Sequence, residues 1–257
     1  MGLEKSIEKA ALLHDIGKVV LRAEPGTGNH SAVGGRFLSK FTPLGSKIVK
    51  AAEYHHKAAL EKAKCLKDDI RYIVYEADNI AAGTDRRENE GDAGGGFTAA
   101  ANLESVFNVF DEPVPDVEKG VFSLKGLLEK ENLQYPVKKR TIKAASYLYK
   151  ALLQHIEVNF RKRSPEEMEP NELLQLLEGV LSYVPSSTNN KEAADISLYD
   201  HVKMTAAFAV CMYQYFAANN ITDYKKYCYL QPSYEMRKNK VYLLVSGDIS
   251  GIQGIVK

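Results

Sequence analysis

The chain has no apolar run near the ~18 residues needed to cross a bilayer. Its start, MGLEKSIEK, has none of the apolar core of a secretory leader. The expectation is a soluble, cytoplasmic protein with no membrane partner. Cysteine is scarce: Cys65, Cys211 and Cys228 lie far apart with no CxxC pair. That argues against a zinc knuckle or a disulfide framework and suits a reducing compartment. Excess charge is missing too, since 34 Lys and Arg against 33 Asp and Glu leave a formal net charge of +1. No global basic field announces nucleic acid, so any such contact must use local patches. Lys138-Lys139-Arg140 with Lys143, Arg161-Lys162-Arg163 and Arg86-Arg87 are the candidates, each reading first as a solvated helix end or loop. No internal repeat, low-complexity tract or GxGxxG spacing is present. At 257 residues, 45% hydrophobic and 26% charged, the composition is that of an ordinary globular protein of one or two domains.

What is present begins at residues 10–20, AALLHDIGKVV, where a His stands beside an Asp inside an apolar helical pattern. Leu12, Leu13, Ile16, Val19 and Val20 recur at helical spacing, which carries His14 and Asp15 into or beside the core. A buried carboxylate costs several kcal/mol, in order of magnitude, unless it is paired or bound to metal, and Lys18 lies one turn on. Taken alone, the three residues read as a core ion-pair network or as part of a site. The other histidines extend the pattern: six in all, at 14, 30, 55, 56, 155 and 201. His30 follows a Gly-Thr-Gly-Asn turn and opens a helix, His55 and His56 are adjacent on another, and Asp78 lies on a fourth in ADNIAAGTDRR. His155 stands in no motif and reads as a surface or packing residue.

Helical periodicity predicts helices over 6–21, 31–41, 46–63, 67–82, 138–160, 170–183 and 196–219. Gly-rich 84–101 reads as a surface loop, and β-prone pieces at 103–110 and 121–124, around Pro113 and Pro115, read as a small hairpin. A strand is expected at 241–245, running into a Gly-rich turn that suits phosphate, as the opening of a second domain.

The order HD, then His, then HisHis, then Asp resembles the HD superfamily of metal-dependent phosphohydrolases. ALLHDIGKV, YHH, ADNIAAGTDRR, VPSST, DISLYDH and SGDISGIQG together resemble the large subunit of type III-A (Csm) CRISPR effector complexes, across nearly the whole chain. The resemblance implies a mainly α, circularly permuted HD-type helical bundle over 1–220 with a small β-hairpin insertion. It implies a linker and the truncated first strand of an α/β Palm domain over 221–257. It also implies a nuclease cutting single-stranded DNA, in company with other effector subunits, CRISPR RNA and target RNA. Cyclic oligoadenylate synthesis from ATP is expected of the full-length family but not of this chain.

Imidazole and carboxylate donors suit Mn, Fe, Co, Ni or Zn better than Ca or Mg. Two ions sharing Asp15 would activate a water for phosphodiester hydrolysis. By the resemblance, His14, Asp15, Asp78 and His201 hold one ion and Asp15, His30, His55 and His56 the other. His14, Asp15 and Lys18 are the catalytic candidates, with Lys18, one turn on, placed either to donate to a phosphate oxygen or to hold Asp15. Neighbouring side chains on a helix diverge by about 100°, so one of His55 and His56 is expected to turn toward substrate. No His precedes His14, so the permuted reading requires His201 to approach Asp15 or Asp78. A nucleotide phosphohydrolase and a noncatalytic scaffold are the other readings.

Overall fold

Two of the long helices expected from periodicity are each split in two, and both splits fall on histidine. The computed structural model describes residues 2–26, 28–85, 96–98, 101–110, 114–126, 134–230 and 235–247. In it the 6–21 pattern becomes α1 (Leu3–Leu13) and α2 (Ile16–Ala23), and the 46–63 pattern becomes α4 (Lys47–Tyr54) and α5 (Lys57–Ala63). Between them stands α3 (His30–Leu38), and α6 (Ile70–Asp85) follows. Sequence-coded caps set the starts. The Asn29 side chain accepts from the Ala32 N–H at 2.9 Å ahead of α3, and Ser46 accepts from Ile48 and Val49 ahead of α4.

The second half supplies α7 (Ser146–Lys162), α8 (Pro170–Leu181), α9 (Leu198–Ala218), α10 (Tyr224–Cys228) and α11 (Glu235–Lys238). α8 opens with Pro170 at its first position, and the Glu172 carboxylate accepts from the Glu169 N–H at 2.7 Å. The long α9 packs along α1 and α6, α1 also packs on α4, and α2 lies between α3 and α7. Ile7, Leu13, Ile48, Ile73, Val202, Ala209 and Phe216 are buried where these helices meet. α10 and the buried Met236 of α11 join the same core, α10 against α6. No helix among the described residues is long and apolar enough to cross a membrane.

The fold is mainly helical with one small β-hairpin, paired otherwise than expected. Residues 106–110 form a 3-10 turn, Val106–Phe110, and the piece before it contributes only an isolated bridge, Glu104 to Val121. The hairpin joins β1 (Gly120–Val121) to β2 (Val137–Lys138), antiparallel, with Gly120 opposite Lys138. At the bridge of Glu104 to Val121, the Ser105 N–H donates to the Gly120 carbonyl at 2.9 Å and the Phe122 N–H to the Leu103 carbonyl at 2.8 Å. Beyond it the Asn108 side chain takes over, accepting from the Gly120 N–H at 2.8 Å and donating to the Gly120 carbonyl at 3.0 Å. β2 and a 3-10 turn also take the first residues of the helix expected from 138, so α7 begins only at Ser146.

No strand forms at 241–245. A strand is stabilised by a neighbour that takes up its N–H and C=O groups, and none lies beside it among the described residues. Tyr242 packs on Phe208 at 5.2 Å between ring centroids, while Leu243, Leu244 and Val245 are exposed. Lys138, Lys139 and Arg140 pair with Glu118 and Asp116, and Arg163 with Glu172. Arg86, Arg87, most of the Gly-rich loop and most of SGDISGIQG lie outside the described residues.

Candidate metal centre

The two helix splits aim adjacent side chains at one point. α1 stops at Leu13, and Asp15 takes φ −100° and ψ 8° before α2 starts, with the Lys18 N–H closing a tight turn on the Asp15 carbonyl at 3.0 Å. At the second split His55 remains helical, whereas His56 is extended at φ −94° and ψ 148°. The divergence expected of neighbours on an unbroken helix is therefore absent. The His55 and His56 rings lie 4.0 Å apart, and both Nε2 atoms reach the His30 Nε2, at 3.3 and 2.9 Å.

His30 is brought to Asp15 by two glycines. A Cβ on Gly17 would stand 1.9 Å from the His30 carbonyl oxygen and 2.6 Å from the Gly34 nitrogen, and one on Gly34 would meet the Gly17 backbone at 3.1 Å. α2 and α3 thus touch backbone to backbone, which no larger residue permits. α6 delivers Asp78, and α9 delivers His201 from its second turn, capped by Ser197.

Asp15 is the centre of the arrangement. Its Oδ1 lies 3.1 Å from His30 Nε2 and 3.7 Å from His55 Nε2. Its Oδ2 lies 3.4 Å from His14 Nε2, 3.3 Å from His201 Nε2 and 2.6 Å from Lys18 Nζ. Asp78 Oδ1 faces His14 at 3.5 Å and His201 at 3.2 Å. One oxygen of Asp15 therefore looks into the trio His30, His55 and His56. The other looks into the group that Asp15 forms with His14, Asp78 and His201. Within each group the candidate ligand atoms all lie within 4.8 Å of one another.

The donor set fits metal ions. The Nδ1 atoms of His14 and His55 donate to the carbonyls of Ala11 and Ala52, at 2.7 and 2.8 Å, which leaves each Nε2 with a lone pair directed at the cluster. The buried His14 Nε2 makes no hydrogen bond, and its carboxylate neighbours stand beyond the ~2.7–2.9 Å of a good charge-assisted bond. Ligands about 2.1 Å from one ion stand roughly 3.0–3.4 Å apart, and separations within the two groups run from 2.9 to 3.7 Å around that range. Burial alone would push the His14 imidazole down, but Asp15 and Asp78 more than offset it and raise it to about 9. Burial likewise opposes the Asp15 and Asp78 carboxylates, yet Lys18, His14 and His201 around the first, and His14 and His201 on the second, hold both well below the ordinary range. His55 is pushed well down, by burial and by His14. Two carboxylates that draw a proton toward His14 Nε2 would equally attract a cation there, which would take that proton's place on the lone pair.

A cavity of about 580 Å³ opens onto the cluster, lined by Asp15, Lys18, His30, His56, Asp78 and His201 together with Arg22, Phe97 and residues 186–188. Every residue that the sequence pointed to as a ligand lies in the cluster, and His155 is exposed on α7, away from any of these contacts. Sequence reading missed Gly17, Gly34, Arg22 and Phe97. Arg22 alone carried a usable signal, being on the face of α2 shared by Asp15 and Lys18.

Comparison with known proteins agrees with the geometry. Residues 2–83 match the family described as HD domain. A protein of Enterococcus italicus named CRISPR system single-strand-specific deoxyribonuclease Cas10/Csm1 (subtype III-A) is 39% identical over 96% of this chain and 34% of its own length. Its namesake from Mycobacterium tuberculosis is 32% identical over 95% of this chain and 33% of its own length. The chain thus spans about a third of the curated relatives it matches. Among solved structures, Csm1 of T. onnurineus superposes with a TM-score of 0.61 and 27% identity, covering 84% of this chain and 29% of that one. A Csm1-Csm4 cassette in complex with pppApA gives 0.64 at 25% identity, covering 93% of this chain and 30% of that one.

Proposed function

The chain is a homologue of the Cas10/Csm1 proteins of subtype III-A, and from that premise we propose that it hydrolyses phosphodiester bonds of single-stranded DNA with divalent metal ions. It does so as the HD nuclease part of a type III-A CRISPR interference complex, in the cytoplasm. The observation that carries this reading is the position of Asp15, whose two oxygens face two separate groups of ligands. His14, Asp78 and His201 would complete one ion's shell, and His30, His55 and His56 the other's, with Asp15 common to both. The imidazole-rich set favours Mn, Co, Ni or Fe. Bound by these residues, such ions would lower the pKa of a water at neutral pH and would offset charge on the phosphate.

The chain's own residues do the rest. Asp15 fixes the spacing of the two groups, and Lys18 holds Oδ2 in place from 2.6 Å. The Ala11 and Ala52 carbonyls set the tautomers of His14 and His55. The cavity of about 580 Å³ opens onto the ligand side of the cluster, an opening that a buried polar core serving only as scaffold would not need. Residues 1–220 contain every ligand, and we assign the nuclease unit to them, with 221–257 as the passage to a Palm-type domain. Other subunits of the effector complex, CRISPR RNA and target RNA are the partners proposed.

The test is cleavage of single-stranded and duplex DNA by the purified chain with Mn, Co, Ni or Fe, repeated with EDTA and with Asp15→Ala. Cleavage of the single strand, lost under both treatments, is expected. Undiminished activity in either case overturns the reading, and hydrolysis of mononucleotides with none of oligonucleotides replaces it by a nucleotide phosphohydrolase.

A further inference from the structure

Arg22 is a buried guanidinium with no carboxylate at ion-pair distance among the described residues. It donates through Nη1 to the Pro185 carbonyl at 2.6 Å and lies 5.8 Å over the Tyr149 ring. The Tyr149 hydroxyl is a further hydrogen-bond neighbour, and the Asp15 carboxylate acts on the guanidinium only through space, so these groups fix its direction without forming an ion pair. A buried charge is normally paired, and a guanidinium has five N–H donors, more than these contacts use. Arg22 lines the same cavity as the metal cluster. It follows Asp15 by seven residues and Lys18 by four, so it shares their face of α2, about 10 Å along the axis from Asp15.

Phe97 lines that cavity too, and is 79% exposed. Its backbone is held in place: Phe97 bridges to Asn189, the Thr98 N–H donates to the Thr188 carbonyl at 2.9 Å, and the Asn190 N–H to the Gly96 carbonyl at 3.0 Å. An apolar ring is thus presented to solvent at the mouth of a charged cleft on a tethered backbone.

We propose that Arg22 and Phe97 form a subsite for the nucleotide next to the bond being cut, Arg22 taking its phosphate and Phe97 stacking on its base. The proposal rests on the nuclease reading for its place beside the scissile bond. A phosphate supplies the anion that Arg22 lacks, and guanidinium matches it with two parallel hydrogen bonds. A nucleobase offers the aromatic face that covers Phe97, in a sequence-tolerant way. Bases inside a duplex already have both faces stacked. The subsite therefore selects single strands through what it binds, with no device for opening a helix.

The experiment measures binding of a fluorescent single-stranded oligonucleotide to the purified chain in EDTA, across a range of salt. Arg22→Gln should weaken binding roughly tenfold and lower the slope of log K against log salt by about 0.7, the value of one phosphate contact on a single strand. Arg22→Lys should retain the slope. Phe97→Ala should weaken single-strand binding roughly tenfold with the slope unchanged, and Phe97→Trp should restore it. An unchanged affinity and slope in Arg22→Gln, or equal effects of Phe97→Ala on single-stranded and duplex DNA, would overturn the subsite. These results without cleavage by the metal-loaded chain would leave the subsite standing and remove only the nuclease reading.

Discussion

The two halves of the proposed metal centre are built on different plans. His14, Asp78 and His201 come from the α1–α2 junction, α6 and α9, which pack against one another through the core, and both histidines are buried. His30, His55 and His56 come from the start of α3 and the α4–α5 junction. Both groups reach the cavity, the first through Asp78 and His201 and the second through His30 and His56, but 24% of the His30 side chain is exposed against 5% for His201. The first group mixes imidazole with carboxylate, while the second is imidazole alone apart from its share of Asp15. Anionic ligands on rigid, core-packed helices hold an ion strongly, whereas neutral ligands at a solvent-facing edge release it more readily. The deep half should therefore be the tight, long-lived site and the shallow half the exchanging one.

The harshest test of that contrast removes what the halves share. Asp15→Ala should abolish both ions, with a fall in single-strand cleavage on the order of 10³-fold or more, since residues acting as one unit fail together. Metal content by mass spectrometry should drop from two ions to none. Retention of two ions would show that Asp15 does not bridge, and the two groups would then be independent sites. Separating the halves comes next. His14→Ala should remove the tight ion and most activity, about 10²-fold or more, whereas His30→Ala should keep the tight ion and weaken the other by about 10–100-fold. Titration with Mn followed by calorimetry distinguishes them. The opposite order of affinities would reverse the assignment of deep and shallow.

His14 and Asp15 were legible from the apolar helical pattern around them, while the other proposed ligands and their grouping were implied by the resemblance to the HD superfamily. His201 was found by the same logic, from the lack of any histidine before His14 and from the setting of SLYDH. It lies 3.3 Å from Asp15 and 3.2 Å from Asp78, and Asp200 beside it is engaged by Ser197 and Lys203 instead. What periodicity missed is the break at each histidine pair. The first break carries a weak local signal, Asp15 being an N-cap residue type followed by Gly17, although its side chain makes no cap hydrogen bond. The second, at His55 and His56, carries neither Pro nor an N-cap residue type, and the apolar period runs straight through both. The closure of the two groups around Asp15 is a tertiary effect. Gly17 and Gly34 were unreadable for a related reason: a glycine in a helical pattern signals only a weak helix position until its neighbour across the interface is known. The strand expected at 241–245 failed because local β propensity does not supply a partner strand.

Those glycines give a milder way to pull the halves apart. In Gly17→Ala the new methyl group meets the His30 carbonyl, so α3 must move away from α2 and take His30 with it. Overpacking of this kind costs about 1–3 kcal/mol. A lower thermal midpoint should accompany loss of the weaker ion, with the tight ion kept. Unchanged binding of both ions would show that the α2–α3 contact does not govern the shallow half.

The smallest effect is expected at Lys18, and it sharpens the deep half alone. Lys18 Nζ stands 2.6 Å from Oδ2 of Asp15, the oxygen that faces His14 and His201, while the side chain is 20% exposed to the cavity. A hydrogen bond to a charged group contributes about 1.5–3 kcal/mol when its partner is buried. Part of that is recovered once ions neutralise Asp15, so the net effect in the loaded centre should fall at the low end. Lys18→Met should lower kcat about tenfold, equivalent to about 1.4 kcal/mol, with the affinity of the exchanging ion unchanged and the tight ion altered by less than about threefold. Lys18→Arg should recover most of the loss, because the planar fork still reaches Oδ2. A fall on the order of 10³-fold with intact metal binding would instead make Lys18 a donor to the reacting phosphate, since holding an already bridged carboxylate cannot account for so large a change.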